Sequence, residues 1–447
     1  LFMDDRLEDA RNVYEALFIL INNVDENEYF SFGHEIDIRE ARARYCRCVY
    51  ETADADKKLD EFTAAMEIEV SVPYNENEYD ESYPLMQDVI DARPGEMGDM
   101  KSFLPAWNKV LVKKGSKGRP AVLLLETVNR LEGINGVSRL ARKWGNSQPQ
   151  GYWFWLDILQ QEKDPKGIIN VGTEALKALK EGRFRERVAK FIIDAAGNLN
   201  NAKQLLLGKR ERFFSIMCDQ NLLDLVDEAI RQDVKVRELG AVINHFKSLK
   251  SMDDDQKNLY IKTHLMAGRL HDAFGIAKKD KSVGWSFRSN AGVVFGSVLS
   301  VFAGHSEKAN TIKTLLKGYA NQRAIYSERF SVDDNTGTSF YEEIINGLRQ
   351  KQIKKSKNDE YLSWAEKIGK RRIEHIVSNK HRRAYEKAAQ VLGCLAEAYA
   401  AMGQTSKALK ILHKYYNEKY NRFSAFRREV KTVVKDSKLL RNSGFLE

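Results

Sequence analysis

The 447-residue chain is 43% hydrophobic and 30% charged with a net charge of +9, enough apolar material for several domains or one long repeat array. It holds no run of about 18 apolar residues, which excludes a membrane-crossing helix, and its first residues do not read as a secretion signal. Four cysteines (Cys46, Cys48, Cys218 and Cys394) are too few and too scattered for a disulfide framework, so a reducing cytoplasm is the expected setting.

The charge is uneven along the chain. Residues 1–100 carry 9 Lys and Arg against 26 Asp and Glu, a net of −17, whereas residues 351–447 carry 23 against 10, a net of +13. Such ends attract each other or attract different partners. Residues 1–70 read as N-terminal helical hairpins, with an amphipathic helix at 38–52. Met66-Glu67-Ile68-Glu69-Val70 alternates like a strand or ends a helix. Residues 71–100, rich in Asp, Glu, Tyr and Pro, read as an exposed or partly disordered acidic connecting loop. Residues 101–447 read as a helical-repeat solenoid with a basic C-terminal third. All seven prolines lie between Pro73 and Pro165. Proline costs a helix interior about 3 kcal/mol, so the proline-free remainder is open to almost continuous hairpins.

Within that region an apolar helix at 121–131 stops at Gly133, and a short one follows at 136–144. An aromatic helix at 152–161 pairs with 169–179, and the turn Glu181-Gly182-Arg183-Phe184 leads into 187–196. Further helices are expected at 222–231, 236–249, 257–267, 270–277, 293–302, 306–319, 339–350, 361–376, 383–402 and 406–420. The chain starts at Leu1 inside a repeat-like segment, so the expectation is a C-terminal part of a longer polypeptide or a missing initial segment.

Three stretches share one turn: Asp5-Arg6-Leu7-Glu8-Asp9-Ala10, Gly268-Arg269-Leu270-His271-Asp272-Ala273 and Gly403-Gln404-Thr405-Ser406-Lys407-Ala408. Each is a turn residue, mostly polar residues, then Ala five positions on and an apolar helix. The small Ala lets the second helix of a hairpin approach its neighbour. In residues 385–416, Leu392, Leu395 and Tyr399 form an i, i+3, i+7 stripe with Ala396 beside it. Gly403 closes the helix, and Ala408 and Leu412 line the next. This unit resembles a tetratricopeptide repeat. The resemblance implies an all-α fold, an irregular α-solenoid of tetratricopeptide-like hairpins without a strict 34-residue period.

A looser resemblance covers most of the chain. Phe103-Leu104-Pro105-Ala106-Trp107, Leu123-Leu124-Leu125-Glu126 with Gly133-Ile134-Asn135-Gly136-Val137, and Gly151-Tyr152-Trp153-Phe154-Trp155-Leu156 carry it. So do Val283-Gly284-Trp285 and Tyr420-Asn421-Arg422-Phe423-Ser424-Ala425-Phe426-Arg427. Together they are similar to the helical region after the zinc module of bacterial SWIM zinc-finger proteins. The zinc pattern itself, C-x-C followed by C-x-H, is absent: Cys46-Arg47-Cys48 supplies half of it, and no His stands two residues after Cys218 or Cys394.

Candidate chemistry is sparse. Cys46 and Cys48 with His34 make at most three ligands where structural zinc needs four, so they read as ordinary helix cysteines. His264 and His271 are two helical turns apart, but Gly268 intervenes. His375 and His381 stand among basic residues, which disfavours a cation. Gly115-Ser116-Lys117-Gly118-Arg119 lacks phosphate-loop spacing and reads as a surface loop. In Gly284–Gly292, either Trp285 and Phe287 face a ligand, or Trp285 plugs a gap between hairpins and Asn290 caps the next helix. No catalytic motif, metal or cofactor is expected.

The basic clusters are the functional hint. Lys370-Arg371-Arg372 and Lys380-His381-Arg382-Arg383 lie ten or eleven residues apart, near three helical turns, and Arg422, Arg427, Arg428 and Lys431 follow. They are solvated faces, or a surface for an acidic partner or for phosphates. The expected function is a non-catalytic scaffold that binds a protein or peptide, its concave face lined by polar residues of first helices. The alternative is a nucleic-acid-associated module using Lys370, Arg371, Arg372, Arg382, Arg383, Arg427 and Arg428.

Overall fold

The computed structural model describes residues 1–23, 37–70, 83–115, 117–280, 283, 290–321, 339–349, 353 and 355–445. Among them all regular structure is helical and no strand occurs. By contact the chain divides into two compact units, Leu1–Lys180 and Glu181–Glu447.

The first unit holds α1 Leu7–Asn23, α2 Ile38–Thr52, α3 Lys58–Met66, α4 Met86–Asp91, α5 Met100–Lys114, α6 Gly118–Trp144, α7 Gln150–Gln161 and α8 Pro165–Ala178. Met66 ends α3, and residues 67–70 of the alternating stretch follow it as a turn and irregular chain, neither strand nor helix. The stop read at Gly133 is a kink inside α6, where that residue leaves helical geometry at φ 64°. The described part of the acidic segment, from Tyr83, forms α4 and packs on α2 and α6. Tyr50, Phe62, Phe103 and Trp107 meet edge to face at 4.9–5.6 Å, the geometry that ring quadrupoles favour.

Helix α2 is less amphipathic than its sequence. Ten of its fifteen residues are buried, Arg42 and Arg47 among them. Arg42 donates to the Ile68 carbonyl at 3.1 Å, and its guanidinium lies 3.9 Å from the Tyr83 ring centroid. Arg119 covers the same ring at 4.5 Å and donates to the carbonyls of Met66 and Pro84. Burial, with Arg42 nearby, lowers the Arg119 guanidinium to about 10. The Gly115–Arg119 stretch therefore spends its arginine on backbone carbonyls; Ser116 lies outside the described residues.

The second unit holds α9 Arg183–Asn198, α10 Ala202–Ser215, α11 Asp219–Arg231, α12 Lys235–Ser248, α13 Asp254–Met266, α14 Leu270–Ala277, α15 Asn290–Phe302, α16 Asn310–Asn321 and α17 Phe340–Leu348. It continues with α18 Lys355–Ser378, α19 Tyr385–Ala401, α20 Thr405–His413 and α21 Ser424–Asp436. Residues 259–266 of α13, 291–300 of α15 and 391–399 of α19 are buried without a break. Helix α15 touches both α13 and α19. These first helices of hairpins are interior, so the polar lining expected of them is not available on α13, α15 or α19. Close approach is what small residues allow here. A Cβ on Gly347 would sit 2.3 Å from the Met266 carbonyl oxygen, and one on Gly393 would sit 2.4 Å from the Val433 side chain.

The turn read from sequence is real in all three places. Asp5, Gly268 and Gly403 have φ of 63°, 68° and 75°. In each case the next amide donates five residues back: Arg6 to Leu1 at 3.1 Å, Arg269 to His264 at 2.8 Å and Gln404 to Tyr399 at 2.9 Å. That is the Schellman closure of a helix end. Ala10, Ala273 and Ala408 are 2%, 0% and 0% exposed. The same closure recurs at Lys163, Asn200, Asp233, Gly304 and Lys380, through amides of Asp164, Asn201, Val234, His305 and His381. From Lys163 to Gly304 these turns are spaced 37, 33, 35 and 36 residues apart, each inside one helix pair.

Two helix starts are capped from another helix. Glu126 of α6 accepts from the amides of Met86 and Gln87 at 2.7 and 2.6 Å, at the first turn of α4. Burial raises the Glu126 carboxyl above its ordinary range, and those two amides oppose it. Glu397 of α19, fully buried, accepts from the Thr311 amide and hydroxyl at 3.1 and 2.7 Å and the Ile312 amide at 2.9 Å, all at the start of α16. The Ser437 hydroxyl, just past α21, donates to it at 2.6 Å. One carboxylate thus ties three elements while satisfying the orphan donors of a helix N-terminus.

Candidate functional site

Helix α18 carries the first basic run, and the structure disperses it. Ile368, Ile373, Ile376 and Val377 face the core, and helical geometry puts Arg372 on that same face at 4% exposure. Burial lowers its guanidinium below its ordinary value, with Tyr319 nearby acting against this. Arg371 is exposed. Lys370 is held by Glu366 of the preceding turn, which also takes the Tyr399 hydroxyl. Burial alone would raise the Glu366 carboxyl, but those two hydrogen bonds hold it below its usual range.

The second run is exposed. Helix α18 ends at Ser378, Lys380 turns left-handed at φ 55°, and Arg382–Ala384 form a single 3-10 turn before α19. The three-turn spacing read from sequence is therefore interrupted, because the two runs do not share one helix. The Ser378 and Tyr420 hydroxyls meet at 2.9 Å, and the Tyr385 and Phe426 rings lie 5.9 Å apart edge to face. These contacts set the 379–384 turn beside the 420–424 turn that opens α21. Lys380, Arg382, Arg383 and Arg422 are exposed and form no ion pair among the described residues. Arg427 is half-buried, 4.3 Å over the Tyr416 ring, and donates to the Asn421 carbonyl at 3.3 Å. Arg428 is exposed, with Glu429 at 3.6 Å.

Of the seven residues proposed from sequence, Arg382, Arg383 and Arg428 stand exposed around these adjoining turns and Arg371 on α18. Lys370, Arg372 and Arg427 are occupied or withdrawn. Lys435, which follows Arg428 and Lys431 along the same exposed side of α21, was missed, as was exposed Lys438 beyond the helix end. The signal was present as an i, i+3, i+7 spacing opposite Phe426, Val430 and Val434.

Other candidates resolve into structure. Cys46 and Cys48 are buried in α2, and burial pushes their thiols to about 12 and about 11. His34, Trp285 and Phe287 lie outside the described residues, and Asn290 is the first residue of α15. His264 is buried against Tyr260, ring centroids 4.5 Å apart, while His271 reaches the Tyr361 hydroxyl at 3.0 Å across the Gly268 turn. His375 and His381 stack at 5.7 Å. Among the described residues no group of three His, Cys, Asp or Glu side chains could hold a metal ion, and no helix is long and apolar enough to cross a membrane.

Comparison with known protein families and with curated proteins gave no match. The reading of this chain therefore rests on its own geometry.

One further surface stands out. Helix α1 is apolar on two sides. Ala10, Phe18 and Ile21 are buried, and Tyr14 packs beside them. The adjoining side shows Val13, Ala16, half-buried Leu17 and Leu20 at i, i+3, i+4, i+7, with Val13 53% and Leu20 64% exposed. Ile19 and Met3 are exposed nearby.

Proposed function

We propose that this chain is a non-catalytic scaffold of tetratricopeptide-like helical hairpins that binds a protein or peptide partner, working in the cytoplasm. The observation that carries the reading is the Schellman turn recurring every 33–37 residues inside successive helix pairs. That interval is close to the period of tetratricopeptide units, whose stacked hairpins serve recognition more often than chemistry. The four unbridged thiols suit a reducing compartment. The recognising surface is the outer side of α1. Its apolar spacing is what a partner helix needs for interdigitation, and exposed contiguous apolar side chains mark interaction sites.

The test is affinity capture from cells that express the chain, comparing the wild type with Val13→Glu/Leu20→Glu. Both positions are exposed, so helicity and thermal unfolding are expected to be unchanged. Recovery of one protein in fixed ratio by the wild type and its loss from the variant supports the reading. Equal recovery by both, or none by either, refutes it.

A further inference from the structure

The outer side of α21 differs in kind from that of α1. Inward, Phe426, Val430 and Val434 are buried, and Val433 lies over Gly393 of α19. Outward, Arg428, Lys431 and Lys435 are exposed, and Lys438 and Arg441 are exposed beyond the helix end. From residue 419 to 441 the sequence holds eight Lys and Arg against two Asp and Glu. One of those acids, Glu429, is half-buried beside Arg428. At the N-terminal end of this row the contacts of Ser378 with Tyr420 and of Tyr385 with Phe426 bring in Lys380, Arg382, Arg383 and Arg422. The fold thus gathers cations from two turns and one helix into a continuous ridge. Within α21, Arg428 to Lys435 alone spans about 10 Å at 1.5 Å per residue.

We propose that this ridge binds the phosphate backbone of a duplex nucleic acid without reading its sequence. The composition of the ridge selects this partner over other anions. Among the described residues from 355 onward, no large apolar side chain is exposed. An acidic peptide would find charge there but no apolar anchor. A bilayer would find no side chain to insert. A single strand would find no exposed Phe, Tyr or Trp on which to stack its bases, only the His375 and His381 rings, which stack on each other. What the ridge offers is closely spaced guanidinium and ammonium groups on a convex helix. A duplex offers the complement, about one phosphate per 1.7 Å of axis, with its bases enclosed.

The proposal is independent of the α1 surface and is tested on the same full chain. The probe is a fluorescein-labelled 24-base-pair DNA of mixed sequence, with binding followed by anisotropy from 50 to 200 mM NaCl. Seven contacting cations (Arg382, Arg383, Arg422, Arg428, Lys431, Lys435 and Lys438) give a slope of log K against log salt of about −6, hence roughly a 4,000-fold loss over that range. A second duplex of unrelated sequence is expected to bind equally. Lys431→Gln/Lys435→Gln is expected to bring the slope to about −4.5 and weaken binding at every salt concentration. Arg382→Gln/Arg383→Gln, in a turn outside α21, provides the same test should the first variant be less stable. The inference fails if the wild type does not bind at 50 mM, or if both folded variants bind as it does. It also fails if polyglutamate, representing an acidic protein, or a single strand of equal charge competes as well as the duplex.

Discussion

Replacing Glu397 is the sharpest structural perturbation available, because one side chain serves four donors. Glu397→Ala leaves the Thr311 and Ile312 amides at the start of α16, and the hydroxyls of Thr311 and Ser437, without their shared acceptor. Hydrogen bonds to a charged group contribute roughly 1.5–3 kcal/mol each, so the gross loss is large. Against it, the folded state no longer holds a desolvated carboxylate, which returns several kcal/mol. The expected net loss is about 3–4 kcal/mol, in the range seen when one partner of a buried charged contact is removed. Glu397→Gln keeps the volume and one acceptor oxygen but turns an NH₂ toward donors, and about 2 kcal/mol is expected. Urea unfolding followed by far-ultraviolet circular dichroism measures both. Ser437→Ala in the Glu397→Ala background should cost less than it does alone, since its partner has gone. A loss below about 1 kcal/mol for Glu397→Ala, or additive losses in the double variant, would refute the idea that this carboxylate organises the start of α16.

Other consequences follow from the same kind of reasoning. Burial lowers the His264 imidazole from 6.5 to about 4. As pH falls from 6.5 toward 4 the unfolded ring gains a proton and the folded one does not, so stability drops by about 3 kcal/mol across that window. His264→Gln should flatten this part of the stability–pH profile, and a variant profile parallel to the wild type would contradict it. Gly347→Ala should destabilise by about 2–3 kcal/mol, because the new methyl meets the carbonyls of Leu265 and Met266. Gly240→Ala, in α12 with open space around it, should stabilise by about 0.5–1 kcal/mol, and thermal melts decide both. Cys46, Cys48 and Cys394 are buried, so a thiol reagent should label Cys218 alone in the native chain and all four cysteines after unfolding. Fast labelling of more than one thiol in the folded protein would show that α2 or α19 opens.

The all-helical class was legible because the period of apolar positions and the distribution of proline act locally. The three turns led by Asp5, Gly268 and Gly403 were legible because Ala stands five residues on. Lys163, Asn200, Asp233 and Lys380 adopt the same left-handed turn, yet three of the four are followed by a larger buried residue (Ile168, Glu238 or Tyr385) and the other by half-buried Leu205. Their backbone does what the glycines do, but composition hides it, and with it the 33–37-residue spacing. Asn and Asp tolerate that conformation through local hydrogen bonding; Lys has no such excuse and is held by the helices on either side. Arg372 shows the opposite failure. A run of three cations reads as surface, but a helix places successive side chains about 100° apart, so the middle of a run readily turns inward. Arg42, Arg47 and Glu397 were invisible for a related reason. Most of their partners belong to segments distant in the chain, which no local pattern records.

The most direct test of the scaffold reading places a photo-reactive benzoylphenylalanine at Leu20 in living cells, with a second chain carrying it at exposed Lys190 of α9. Irradiation is expected to give a discrete covalent adduct with another protein from position 20 and none from position 190. No adduct at position 20, or the same diffuse labelling at both positions, would contradict it.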